Sequence, residues 1–104
     1  AKSAQYYEKA VTAAGPKASD DLLVRLGNVL NKSGDVNKAI AVLSKASDQN
    51  PQNVGALALL EKIWRDEVDR NPNNVVAHAN LASIFQKRKR FDLAQKAYAT
   101  AERL

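Results

Sequence analysis

The sequence predicts an all-helical fold built of antiparallel helix hairpins, and three observations carry that prediction. Between Asp20 and Asn53 the apolar residues Leu23, Leu26, Leu30, Ala39, Leu43 and Ala46 recur at three- and four-residue spacing, the period at which side chains share one helix face. The stretch is punctuated by Ser33-Gly34-Asp35 in its middle and Asn50-Pro51 at its end, the chemistry of a tight turn and of a helix stop. Small residues stand at fixed points of the stripes, Gly27 and Ala39 here and Ala82 and Ala94 further on, where two helices can approach closely.

Taken in order, Ala1 to Gly15 reads as one helix closed by Gly15-Pro16, because proline has no amide to continue the ladder. One of Tyr6 and Tyr7 is expected to pack and the other to face water. Ser19 or Asp20 can cap the next helix by accepting from the free amides of its first turn. Leu22, Leu23, Leu26, Val29 and Leu30 give that helix a broad apolar face through Lys32. Gly34 tolerates the positive φ of a helix end, and Asp35 is placed to cap the helix that follows. This third helix carries Val36, Ala39, Ile40, Leu43 and Ala46 and stops at Asn50-Pro51.

The next stretch breaks the regularity. Asn50-Pro51-Gln52-Asn53-Val54 recurs as Asn71-Pro72-Asn73-Asn74-Val75, and Ala56, Ala58 and Leu60 match Ala77, Ala79 and Leu81. From Glu61 to Pro72 the sequence reads instead as the end of a second helix, with Trp64 in the bulky slot. A join therefore falls around Leu60 and Glu61. Either Val54 to Arg70 is one continuous helix, or a turn between two helices has been left out of the chain. No Gly, Pro or Ser interrupts Ala56 to Arg70, which favours the single helix. Such a helix breaks the alternation of inner and outer helices, so a continuous concave groove is not expected across the join. The last hairpin is regular: His78, Leu81, Ala82 and Phe85 lie on its first helix, and Ala94, Tyr98 and Ala101 on its second, which Phe91-Asp92 opens.

Leu23-x2-Leu26-Gly27-x2-Leu30, Ala39-x3-Leu43 and Pro51 resemble the tetratricopeptide repeat, whose period is about 34 residues and whose pattern runs W-x2-L-G-x2-Y, then A-x3-F, then P. Leucine keeps the bulk of two aromatic positions, while Phe85 and Tyr98 restore aromatics in the last hairpin. The Asn-Pro motif returns after 21 residues, about 13 short of that period. The resemblance implies an α-solenoid of stacked hairpins. Residues 1–16 would be the second helix of an upstream repeat, 20–53 a full repeat, 54–74 a shortened one and 75–104 a last, C-terminally incomplete one.

The same resemblance implies a non-enzymatic scaffold whose concave surface, lined by the first helices of the repeats, holds a protein or peptide partner. Asp21, Val24, Arg25, Asn28 and Asn31 fall on that face of the first full repeat, with Ala79, Asn80, Ser83 and Gln86 as their counterparts in the last. Asn28 and Asn80 can hydrogen-bond a peptide backbone, and Arg25 can pair a carboxylate. Family members that grip the acidic C-termini of chaperones carry lysines where Val24 and Val76 stand, so that role is rejected. No polar capping helix follows Tyr98, and the last apolar face is expected to continue into more protein or another subunit. Self-association through open repeat ends is accordingly an alternative, since roughly three repeats are needed for independent folding.

Composition narrows the remaining functions. There is no run of about 18 apolar residues to span a bilayer, and the absence of Cys excludes disulfides and thiolate metal sites. The net charge is +5, yet four basic residues are contiguous, Lys87, Arg88, Lys89 and Arg90; without them 12 basic residues face 11 acidic ones. This block falls at a turn. It reads either as solvated cations near a helix C-terminus or as an anion contact for an acidic peptide, nucleic acid or lipid headgroups. Nucleic acid would want a wider basic stripe or several stacking aromatics, and only Phe91 is close by.

No catalytic set, cofactor loop or metal cluster is expected. His78, the single His, stands where a bulky core residue belongs and has no second ligand at useful spacing. Glu61, Asp66, Glu67 and Asp69 alternate with Lys62, Arg65 and Arg70, the pattern of a solvated, ion-paired helix face. Gly27 and Gly34 follow no strand and so form no phosphate loop. Trp64 is expected to pack in register with Leu60, with an exposed anchor for a partner as the alternative.

Overall fold

The computed structural model of the chain describes residues 2–15 and 19–104, with side chains from residue 5 onward in the first helix. The predicted stop at Pro16 lies outside the described residues. These form six α-helices and no strand: α1 Lys2–Ala14, α2 Asp20–Lys32, α3 Val36–Gln49, α4 Val54–Arg70, α5 Val75–Lys87 and α6 Phe91–Arg103. The chain divides into two compact units, residues 1–56 and 57–104. Each contains one hairpin, α2–α3 in the first and α5–α6 in the second.

In the first unit the helical period of α2 buries Leu23, Leu26, Gly27 and Leu30, and that of α3 buries Ala39, Leu43, Ala46 and Ser47. Gly27 sets how closely the two helices lie. A Cβ placed on it would meet Cγ and Cδ2 of Leu43 at 2.5 Å, and Leu43 is itself fully buried. The missing side chain thus lets a leucine rest on the backbone of α2. α1 packs against α2, with Val11 and Ala14 against the cluster of Leu23, Ala46 and Ala56. Tyr7 is half-buried, while Tyr6 is exposed and meets it edge to face at 5.3 Å.

Ser19 is the cap of α2, its hydroxyl accepting from the Leu22 amide at 3.1 Å, and Asp20 is already helical. Asp35 corrects the expectation for α3. It occupies the cap position but makes no capping bond. Its ψ of 61° falls well short of the extended 150° at Ser19, the backbone setting that carries a cap oxygen over the first-turn amides.

α4 is a single helix from Val54 to Arg70. In the second unit its Trp64 and Val68 pack, partly buried, against Leu81, Ala82, Phe85, Ala94 and Ala97 of α5 and α6. Here too the small residues Ala82 and Ala94 are buried at the hairpin contact. Tyr98 departs from the pattern: it stands in the place of the fully buried Leu43 but is 40% exposed. The counterpart of Gly27 in this hairpin is Ala82, which carries a Cβ, and the Tyr98 hydroxyl donates to Gln86 Oε1 at 3.3 Å.

The two hairpin turns share one hydrogen-bond scheme. The amide of Asp35 donates to Leu30 O at 2.9 Å, and that of Arg90 to Phe85 O at 2.8 Å. Both close over a residue of positive φ, Gly34 at 93° in the first turn and Lys89 at 61° in the second.

Candidate partner-binding faces

The polar side of α2 carries Asp21, Arg25, Asn28 and Asn31, because the i, i+3, i+4, i+7 spacing that buries Leu23, Leu26 and Leu30 turns these residues away from the hairpin core. Asp21 and Arg25 are exposed and pair across one turn at 3.3 Å. Asn28 and Asn31 are half-buried, and their carboxamides have no hydrogen-bond partner among the described residues. Val24 behaves differently. It is half-buried against the cluster of Leu23, Ala46 and Ala56, and a Cβ on Gly55 would lie 3.6 Å from its Cγ1. Its role is to brace the start of α4 as much as to line a face.

In the second unit Ala79, Asn80 and Ser83 are half-buried on α5 and Gln86 is exposed. Gln86 is engaged by the Tyr98 hydroxyl, whereas Asn80 and Ser83 have free side-chain polar groups among the described residues. His78 is buried, and its Nε2 donates to the Pro72 carbonyl at 2.7 Å, since a carbonyl can only accept. That bond ties α5 to the turn before it.

Glu61 corrects the reading of α4 as bearing four solvated carboxylates. Asp66 and Asp69 are exposed, but Glu61 is only 6% exposed. One Glu61 oxygen accepts from Arg88 at 2.7 Å and lies 3.9 Å from Arg90, while the other faces Arg65 at 3.3 Å. The cause is spacing. Glu61 shares the stripe Leu57, Trp64, Val68, so it points inward, and burial requires that its charge be met. Two members of the basic block, Arg88 and Arg90, meet it; Lys87 and Lys89 are exposed and have no ion pair among the described residues.

The recurring Asn-Pro-x-Asn segments fold into equivalent turns that the sequence reading did not equip with partners. Asn53 and Asn74 cap α4 and α5, their Oδ1 atoms accepting from Ala56 and Ala77 at 3.1 and 3.2 Å. One carboxylate then grips both asparagines of each turn. Asp20 accepts from Asn53 at 2.6 Å and Asn50 at 3.2 Å; Glu67 accepts from Asn74 and Asn71, each at 2.9 Å. These donors, that of Asn53 first for Asp20 and that of Asn74 first for Glu67, hold both carboxyls below their ordinary range, with Arg70 adding a smaller effect at Glu67.

Among the described residues no group of three or more His, Cys, Asp or Glu is placed to hold a metal ion, and no helix is long and apolar enough to cross a membrane. The family model described as tetratricopeptide repeat matches residues 20–53, from the first residue of α2 to the cap of α4. No curated protein matches the chain.

Proposed function

With residues 20–53 a tetratricopeptide repeat, in an all-helical chain that fits a protein of that family, we propose that the chain is a non-catalytic scaffold holding a protein or peptide partner on the polar face of α2. Repeats of this family generally mediate protein–protein interaction, on a fold that is generally a scaffold without catalysis. The observation that carries the reading is the pair Asn28 and Asn31. Each is half-buried with a carboxamide that has both donor and acceptor to offer, beside the exposed Asp21–Arg25 pair. An extended peptide backbone presents the complementary groups.

On this reading residues 54–74 are a shortened repeat and 75–104 a last one, whose α5 offers Asn80 and Ser83 in the same manner. The test begins with a peptide selected from a random display library on the immobilised chain and titrated calorimetrically. Replacing Arg25 and Asn28 by Ala is expected to weaken the selected peptide by about tenfold, two or more hydrogen bonds being lost, with helicity by circular dichroism unchanged. Undiminished affinity in that variant would refute the assigned face.

A further inference from the structure

We infer that the turn joining α5 to α6 is a second docking surface, which takes an acidic segment of a partner protein that also carries a bulky apolar side chain. The excess positive charge of the chain is concentrated there, since the remainder holds 12 basic and 11 acidic residues. Glu61 divides the basic block into two roles. It holds Arg88 inward at 2.7 Å, with that side chain only 19% exposed, and so fixes the turn; Lys87, Lys89 and the half-exposed Arg90 are left at the surface. A rigid turn presents its cations without an ordering cost at the moment of binding.

Lys89 adds an independent observation. It adopts φ 61° at the place where the α2–α3 turn uses Gly34 at φ 93°, so a charged side chain stands at a backbone position that favours glycine. Directly alongside, Phe91 and Leu93 are 61% and 41% exposed. Together with Lys89, Arg90 and Asp92 they line a concavity of about 330 Å³. Carboxylates of a partner complement Lys87 and Lys89, and an apolar side chain seats against Phe91 and Leu93. A lipid surface fits less well, because polybasic membrane sites gather about 4–8 cations, whereas here Arg88 and Arg90 are met by Glu61 and two, Lys87 and Lys89, have no ion pair among the described residues. Nucleic acid fits less well again, with a single aromatic and a short charged stripe.

The probe is a fluorescein-labelled peptide alternating Glu with Leu, read by anisotropy at low and physiological salt. Its Gln/Leu counterpart and phosphatidylserine-containing vesicles are run in parallel. Saturable binding of the Glu peptide that weakens with salt is expected, with about tenfold loss for the Gln peptide and for Lys87→Gln/Lys89→Gly. Glycine suits the φ of residue 89, so this variant keeps its turn while losing its charge. Phe91→Ser is expected to weaken binding severalfold, and Arg25→Ala/Asn28→Ala to leave it unchanged. The inference is overturned by absence of binding at low salt, by equal binding to Lys87→Gln/Lys89→Gly, by loss of binding in Arg25→Ala/Asn28→Ala, or by capture of vesicles without the peptide.

Discussion

A methyl group added at Gly27 would lie 2.5 Å from Leu43 Cγ, and Leu43 has no solvent to move into. Alanine is favoured over glycine inside a helix by about 1 kcal/mol, but forcing a methyl into a packed core costs about 1–3 kcal/mol. Gly27→Ala is therefore expected to lower the unfolding free energy by about 1 kcal/mol in denaturant titrations, and to cost less when Leu43 is also Ala. Gly27 was legible in the sequence because a small residue at a fixed point of an apolar stripe leaves a periodic mark. Asp20 left none. Its partners Asn50 and Asn53 lie 30 and 33 residues away, and side-chain bonds across such distances obey no period.

The asparagine-gripped carboxyls also make stability depend on acid. A carboxyl whose pKa is lower in the folded chain than in the unfolded one contributes stability that is complete above the unfolded value, about 4. That contribution is lost as the pH falls through this value toward the lowered ones. The part of the stability that these two carboxyls supply, read as the difference in denaturation midpoint from Asp20→Asn/Glu67→Gln, should be level down to about pH 5 and shrink below about pH 4. The Asp20→Asn/Glu67→Gln variant should be less stable at pH 7 and lose less between pH 5 and 3.

At the scale of elements, α4 is where pattern and charge gave conflicting signals. The spacing of Leu57, Glu61, Trp64 and Val68 places Glu61 in the buried stripe, while the alternating charges from Glu61 to Arg70 resemble a wet surface; spacing prevailed. Burial of Glu61 then depends on Arg88, which reaches it from the α5–α6 turn. Truncating one partner of a largely buried pair leaves a charge poorly compensated, and Arg65 and Arg90 recover part of the loss at 3.3 and 3.9 Å. Arg88→Ala should destabilise the chain by about 2 kcal/mol, measured by thermal or chemical denaturation. The hairpins were legible from Gly34 and the Asn-Pro stops. Asp35 was not, since residue type alone marks it as a cap and only its backbone angles show that it does not cap.

At the scale of the molecule, the fold class followed from helical spacing and turn chemistry because both are local and repeat along the chain. A binding face is not local in that sense. The α2 face is defined by which polar groups the hairpin leaves unused, and that depends on packing: Val24 joins a core cluster and Gln86 is taken by Tyr98, while Asn28 and Asn31 stay available. Two features thus distinguish the α2 face from the turn at Lys87–Arg90. One offers neutral donors and acceptors on a helix, and the other offers charge and exposed apolar groups on a turn.

The most direct measurement is a titration of the isotopically labelled chain with the selected peptide, following the side-chain amide resonances of asparagine by nuclear magnetic resonance. The account predicts that the carboxamide signals of Asn28 and Asn31 shift along the binding curve. Saturation of the peptide site with those two signals unmoved would contradict it.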